Sequence, residues 1–141
     1  MTTIHPGTPQ DYQKVFPIVQ QLRPKLTFEE FSKTLNILNK EHTSFCFVYA
    51  QSNNQITGFM TLLIRRNLVS PEGFAVIDDL VVDQNIQRQG IGTKLIDYAK
   101  AYALKHGTKK VWLESGFQRE GAHAFYQQQG FNKHGFSFLS S

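Results

Sequence analysis

The sequence predicts a single α/β (α+β) domain spanning residues 1–141, with a mixed central sheet of about six to seven strands and helices on both faces. Three observations predict it. Strand-like and helix-like runs follow one another in the order β-α-α-β-β-β-α-β-α-β-β. The run from Phe74 to Val82 is apolar on both faces, as a strand in the middle of a sheet is. A glycine-bearing turn, Gln87-Arg88-Gln89-Gly90-Ile91-Gly92-Thr93, then leads from the run Ala75 to Val82 into the amphipathic stretch Ile91 to His106.

Residues 1 to 5 read as a short strand. Thr8 is an N-cap for the helix that follows, with Pro9 at its first position and Asp11 at capping-box spacing. Tyr12, Val15, Phe16 and Val19 share one face of that helix, and Pro24 interrupts the region. Thr27 and Glu30 cap a second helix with the apolar stripe Phe28, Phe31, Leu35 and Leu38. Ser44 to Ala50 and Ile56 to Ile64 are β-rich runs, and the polar residues 51–55 between them signal a hairpin. The strand Phe74 to Val82 follows a loop from Asn67 to Gly73. The helix Ile91 to His106 buries Ile91, Leu95, Tyr98 and Tyr102 and ends at Gly107. Lys110 to Ser115 is a further strand. Glu120 to Gln129 is a short helix stopped by Gly130. Phe131 to Lys133 and Phe136 to Leu139 read as two short closing strands.

Bulk properties narrow the function. An apolar content of 40% and an aromatic content of 13% indicate a packed globule. No apolar run approaches the roughly 20 residues of a membrane span, and Met1 to His5 begins no signal peptide, so a cytoplasmic protein without a membrane partner is expected. The lone Cys46, between Phe45 and Phe47, reads as a buried structural thiol. The net charge of +4 comes without a basic block: Arg65-Arg66 and Lys109-Lys110 are only pairs. A phosphate-bearing small ligand accounts for this excess more simply than nucleic acid does. The five histidines show no metal-ligand spacing, and no metal is expected.

The turn at residues 87–93 is built as a phosphate cradle. Glycines let the backbone approach an anion closely. The first N–H groups of the following helix have no intrahelical partner, and the helix dipole is positive there. Arg88 and Lys94 add cationic charge. The chain has neither Gly-x-x-x-x-Gly-Lys-Ser/Thr nor Gly-x-Gly-x-x-Gly, which argues against nucleoside triphosphates and dinucleotides.

What remains, Gln-x-x-Gly-x-Gly over Gln87 to Gly92, resembles the pyrophosphate-binding signature of the GNAT superfamily of acyl-CoA-dependent N-acetyltransferases. Its flanks strengthen the likeness. Leu80-Val81-Val82-Asp83 upstream resembles that family's fourth strand. Ala122-His123-Ala124-Phe125-Tyr126-Gln127-Gln128-Gln129-Gly130-Phe131 downstream resembles its Ala-x-x-Phe-Tyr-x-x-x-Gly-Phe hallmark. The likeness covers residues 74 to 132. One departure is Arg119, where many members carry Asn; Arg119 to Tyr126 is instead similar to a form found in aminoalkylphosphonate acetyltransferases and other small members.

The resemblance implies acetyl-CoA as co-substrate and a primary amine of a small molecule as acceptor, attacked directly in a ternary complex. It implies that Gln87, Arg88, Gln89, Gly90, Ile91, Gly92 and Thr93 hold the pyrophosphate, with Arg119 a further phosphate contact. Leu80, Val81 and Val82 would supply backbone N–H groups to the pantetheine arm and acyl oxygen. Tyr126 would protonate the departing thiolate. The base is open between Glu114 and Asp79, with Asp78 behind them and a water relay as an alternative. The two aspartates are expected to point to opposite faces of the strand. Residues 22–42 and 64–74 should line the acceptor side. Dimerisation is common in the family, so a homodimer is an open expectation. Two other readings remain: a protein N-terminal or lysine acetyltransferase, and a non-catalytic acyl-CoA-binding module.

Overall fold

The computed structural model describes residues 1–86, 90–114, 120–135 and 137–140. Gln87, Arg88, Gln89 and Arg119, four of the expected ligand-binding residues, lie outside this set.

The sheet has six strands. β1 (Thr2–Pro6) runs antiparallel to β2 (Cys46–Ser52), and β2 antiparallel to β3 (Gln55–Arg65). The β2–β3 hairpin turns on Asn53 and Asn54, at φ 52° and 64°, in the left-handed region that a two-residue hairpin turn demands and asparagine tolerates. β4 (Phe74–Ile77) lies antiparallel to β3 and parallel to β6 (Val111–Leu113). The apolar run expected as one strand is divided: after Asp78 and Asp79 it resumes as β5 (Leu80–Val82), which among the described residues pairs with β3 alone.

Helices cover both faces. A 3-10 turn (Pro9–Asp11) leads into α1 (Tyr12–Leu22); the expected cap is present, Thr8 N–H donating to Asp11 Oδ2 at 2.9 Å. α2 (Phe28–Glu41) opens on a full capping box. Glu30 N–H donates to Thr27 Oγ1 at 3.1 Å and Thr27 N–H to Glu30 Oε1 at 2.9 Å. α3 (Ile91–Lys105) ends at Gly107, and α4 (Glu120–Gln128) is followed by Gly130. No helix among the described residues is long and apolar enough to cross a membrane.

The sheet separates two cores. On one side α1 and α2 pack Tyr12, Val15, Phe31 and Leu35 against Phe47, Phe59, Leu63, Phe74, Val76 and Val81. On the other, Ile91, Leu95, Ile96 and Ala99 of α3 pack against Val48, Met60, Leu62, Ala75 and Ile77. β3 serves both cores because successive side chains alternate faces. α3 lies close over Gly58, where a β-carbon would stand 3.0 Å from Leu95 Cδ1 and 3.2 Å from Ile91 Cγ2.

Two closing strands are expected after Gly130; the described residues of 131–140 form no strand, and Phe136, where the second is expected to begin, lies outside them. Side chains tether this segment to β6. The rings of His134 and Trp112 meet edge to face at 5.0 Å, and Ser137 Oγ donates to Glu114 Oε1 at 2.8 Å.

Thr27→Ala removes the side-chain acceptor at the start of α2 and should lower the unfolding free energy by about 1 kcal/mol. Urea denaturation should show a reduced midpoint with an unchanged slope, since the amount of surface exposed on unfolding stays the same.

Candidate active site

The break between β4 and β5 is a change of register. Val76 pairs with Leu63, but Leu80 pairs with Met60, so three steps along β3 face four along the other strand. The extra residue is a β-bulge at Asp78–Asp79. Before it, Phe74 and Val76 enter the α1–α2 core; after it, Val81 does, while Leu80 and Val82 pack on the α3 side. The bulge therefore presents both Asp78 and Asp79 on the α1–α2 face. This corrects the expectation of one on each side, which held only for unbroken alternation.

Thr61, buried in β3, closes the bulge. Its backbone N–H donates to Asp79 O at 3.0 Å, and its hydroxyl donates to Asp79 Oδ2 at 3.0 Å. The same hydroxyl accepts from Asp79 N–H at 3.1 Å. The Asp79 carboxylate is thus already engaged. Glu114 reaches the same face: Val111 and Leu113 pack with α3, and Trp112 meets Phe74 at 5.6 Å on the other side. Because Ile77 pairs with Leu113, Asp78 and Glu114 leave adjoining strand ends. The Asp78 carboxyl is held above its ordinary value chiefly by lost hydration; Arg65 opposes this, and Asp79 and Glu114 reinforce it.

The bulge also changes which backbone edge faces where. In β4, Ala75 N–H donates toward β6, to Lys110 O at 2.9 Å. Beyond the bulge the odd-numbered residues turn to β3 instead: Asp79 O accepts from Thr61, and Asp83 N–H donates to Thr57 O at 2.9 Å. By alternation, Val81 belongs to that ladder. The N–H groups of Leu80 and Val82 face the opposite edge, where no described strand pairs with β5.

The expected phosphate turn follows. Gly90 caps α3 at φ 72°, a left-handed conformation that favours glycine, and a β-carbon there would meet nothing within 4 Å. The first intrahelical bond runs from Lys94 N–H to Gly90 O, so the amides of Ile91, Gly92 and Thr93 precede it. Helix N-terminal amides without intrahelical partners suit an anion such as a diphosphate. The Ile91 side chain is core, so only its backbone can serve. Lys94, expected to add charge to the cradle, directs its ammonium to Thr2 O at 3.1 Å.

Two residues that sequence reasoning missed fasten the chain on either side of the expected turn. Gln21 of α1 bridges to the chain after β5: its Nε2 donates to Asp83 Oδ1 at 3.2 Å, and its Oε1 accepts from Gln84 N–H at 3.0 Å. Gln129 Nε2 donates to Thr93 Oγ1 at 3.1 Å, fastening the end of α4 to the start of α3. Gln21 gave no local signal, and Gln129 stands at a variable position of its motif. Nearby, a β-carbon on Gly92 would come within 2.9 Å of Phe125 Cζ, so that glycine makes room for the Phe125 ring.

The α3–α4 contact brings the two sequence motifs together, with Tyr126 the residue after Phe125. Its ring is buried against Phe125 and Phe131, at 5.7 and 6.2 Å between centroids. Cys46 has its thiol pushed up to about 11 by burial, which suits a structural role and disfavours a thiolate nucleophile.

The model of the acetyltransferase (GNAT) family matches residues 10–131. An uncharacterised N-acetyltransferase of Bacillus subtilis is 29% identical over 130 residues, covering 92% of this chain and 90% of its own. An aminoalkylphosphonate N-acetyltransferase of Salmonella typhimurium is 25% identical over 138 residues, covering 96% of this chain and 88% of its own. The crystal structure of a glucosamine-6-phosphate N-acetyltransferase from Arabidopsis thaliana superposes with a TM-score of 0.81 at 18% identity, over 100% of this chain and 98% of that one. A chain with this bulged sheet, glycine-capped helix and family match belongs to the acetyltransferase (GNAT) family and is an N-acetyltransferase.

Proposed function

We propose that the protein transfers the acetyl group of acetyl-CoA to a primary amine of a small molecule, by direct attack in a ternary complex. The observation that carries this reading is the edge of β5 on which no described strand pairs, shortly before Gly90 in the chain. It offers amide donors for an acyl oxygen next to a place for phosphates. Similarity along nearly the whole chain to an aminoalkylphosphonate N-acetyltransferase favours a small aminated acceptor over a protein.

In this reading the amides of Gly90, Ile91, Gly92 and Thr93 hold the pyrophosphate, with Gln87, Arg88, Gln89 and Arg119 as further contacts. Bound acetyl-CoA supplies an activated acyl carbon; its C–S bond breaks as the new C–N bond forms. Leu80 and Val82 donate N–H groups where negative charge grows on the acyl oxygen, and loss of one such donor costs on the order of 10²–10³ in rate. Val81 keeps the β5–β3 ladder in place. Glu114, with Asp78 beside it, accepts the amine proton. Asp79, whose carboxylate accepts from Thr61, holds the bulge. Tyr126 gives its hydroxyl proton to the departing sulfur.

Gly90→Asp would place a carboxylate in the open space before α3. Calorimetry should show CoA binding abolished in a folded variant, and wild-type protein binding acetyl-CoA far more tightly than ATP or NAD. Equal affinity for ATP would defeat the assignment.

Tyr126→Phe keeps the ring and its packing and removes only the proton donor. Turnover should fall by roughly 10²–10⁴ with acetyl-CoA affinity little changed. A joint collapse of rate and affinity would make the hydroxyl a binding contact instead.

Carbon-13 NMR should find Asp78 titrating above the ordinary aspartate range. Glu114→Gln removes a like charge and should lower that value; Arg65→Gln removes the opposing charge and should raise it. With the folded value above the unfolded one, ionisation is disfavoured in the folded state. Stability should therefore fall as pH rises through the interval between the two values, and Asp78→Asn should abolish that fall.

A further inference from the structure

We propose that Thr61 is a positioning residue for acyl transfer: its hydroxyl, clasped to Asp79 across the bulge, sets the direction in which the β5 amides point. The proposal rests on the reading of the site as an acetyl-CoA-dependent transferase. Thr61 lies in the middle of β3, 3% exposed, among apolar neighbours from Gly58 to Leu63. A hydroxyl buried there is destabilising unless it is hydrogen-bonded. It makes two side-chain bonds, both to Asp79: it donates to Oδ2 at 3.0 Å and accepts from the backbone N–H at 3.1 Å.

The second bond explains the geometry. In a plain antiparallel ladder the Asp79 N–H would donate to a backbone carbonyl of β3. The extra residue moves that carbonyl out of step, and a bulge ordinarily leaves one such group unpaired. Here the Thr61 hydroxyl takes the carbonyl's place as acceptor. The register change is thereby confined to Asp78 and Asp79. Four residues after Asp79, Asp83 N–H again donates to a β3 carbonyl, Thr57 O, at 2.9 Å. Between these fixed points the N–H groups of Leu80 and Val82 are held toward the open edge. Without the hydroxyl, Asp79 N–H is left without its acceptor, and the strand can relax toward regular pairing, which would turn those amides away.

The test reads the polarisation of the acyl carbonyl directly. Acetyl-CoA labelled with carbon-13 at the thioester carbonyl is bound to the full-length protein, and its infrared band is compared with that of the free compound. Wild type should shift the band to lower wavenumber. Thr61→Val keeps the side-chain shape, loses the hydroxyl, and should lose most of that shift while keeping its affinity for CoA, because the Gly90 turn is untouched. Thr61→Ser should restore the shift. Thr61→Ala removes the same hydroxyl without a branched side chain to accommodate, and should weaken the shift in the same direction even if Thr61→Val does not fold. A folded Thr61→Val or Thr61→Ala with the full wild-type shift overturns the proposal. Wild-type protein that fails to bind acetyl-CoA, or binds it with no shift at all, overturns the acetyl-transfer reading itself and this proposal with it.

Discussion

A β-strand has a side-chain period of two, so inserting one residue inverts everything that follows. In this molecule that insertion, at Asp78–Asp79, is the constraint on which the site depends. It places neighbouring carboxylates on one face. It turns the odd-numbered amides toward β3 and the even-numbered ones toward the gap beside β6. It also lets β5 leave the line of β4, so that a sheet continuous on one edge is open on the other. A bulge forfeits regular ladder bonds, each with a net worth of about 1 kcal/mol. The backbone and side chain of Thr61 recover them at the point of disruption.

The second constraint is close approach. α3 can sit low on the sheet because Gly58 has no side chain, and α4 can cross the start of α3 because Gly92 leaves room for Phe125. Both contacts act on the same helix end, the one capped by Gly90. Gln21 of α1 holds Asp83 and Gln84 before that helix, and Gln129, just after α4, holds Thr93 in its first turn, so both faces of the sheet contribute contacts around it. A helix end held from several sides undergoes little reorganisation when it meets an anion, which favours binding through pre-organisation.

Much of this was legible in the sequence because it is encoded locally. The Thr27–Glu30 cap, the α3 stripe and the glycine turn are each written within a few consecutive residues. The bulge was not legible, because two aspartates inside an apolar run look the same whether the strand alternates through them or slips by one. What decides between those outcomes is Thr61, 18 residues away. Gln21 was invisible for the same reason: its partner Asp83 lies 62 residues on. The tail erred in the other direction. Phe131 and the phenylalanines after it read as strand formers, yet the described residues of the segment reach β6 and Glu114 through the His134 and Ser137 side chains and form no ladder.

The parity of β3 carries a consequence for how substitutions combine. Thr61 and Leu62 are joined by a peptide bond but belong to opposite sides of the sheet, one to the bulge and the other to the α3 core. Thr61 and Asp79 lie on different strands but share a pair of hydrogen bonds. In a double-mutant cycle the energies of the sequence neighbours should therefore sum more nearly than those of the distant pair, which should couple. Along this strand, energetic neighbourhood follows odd and even numbering rather than adjacency in the chain.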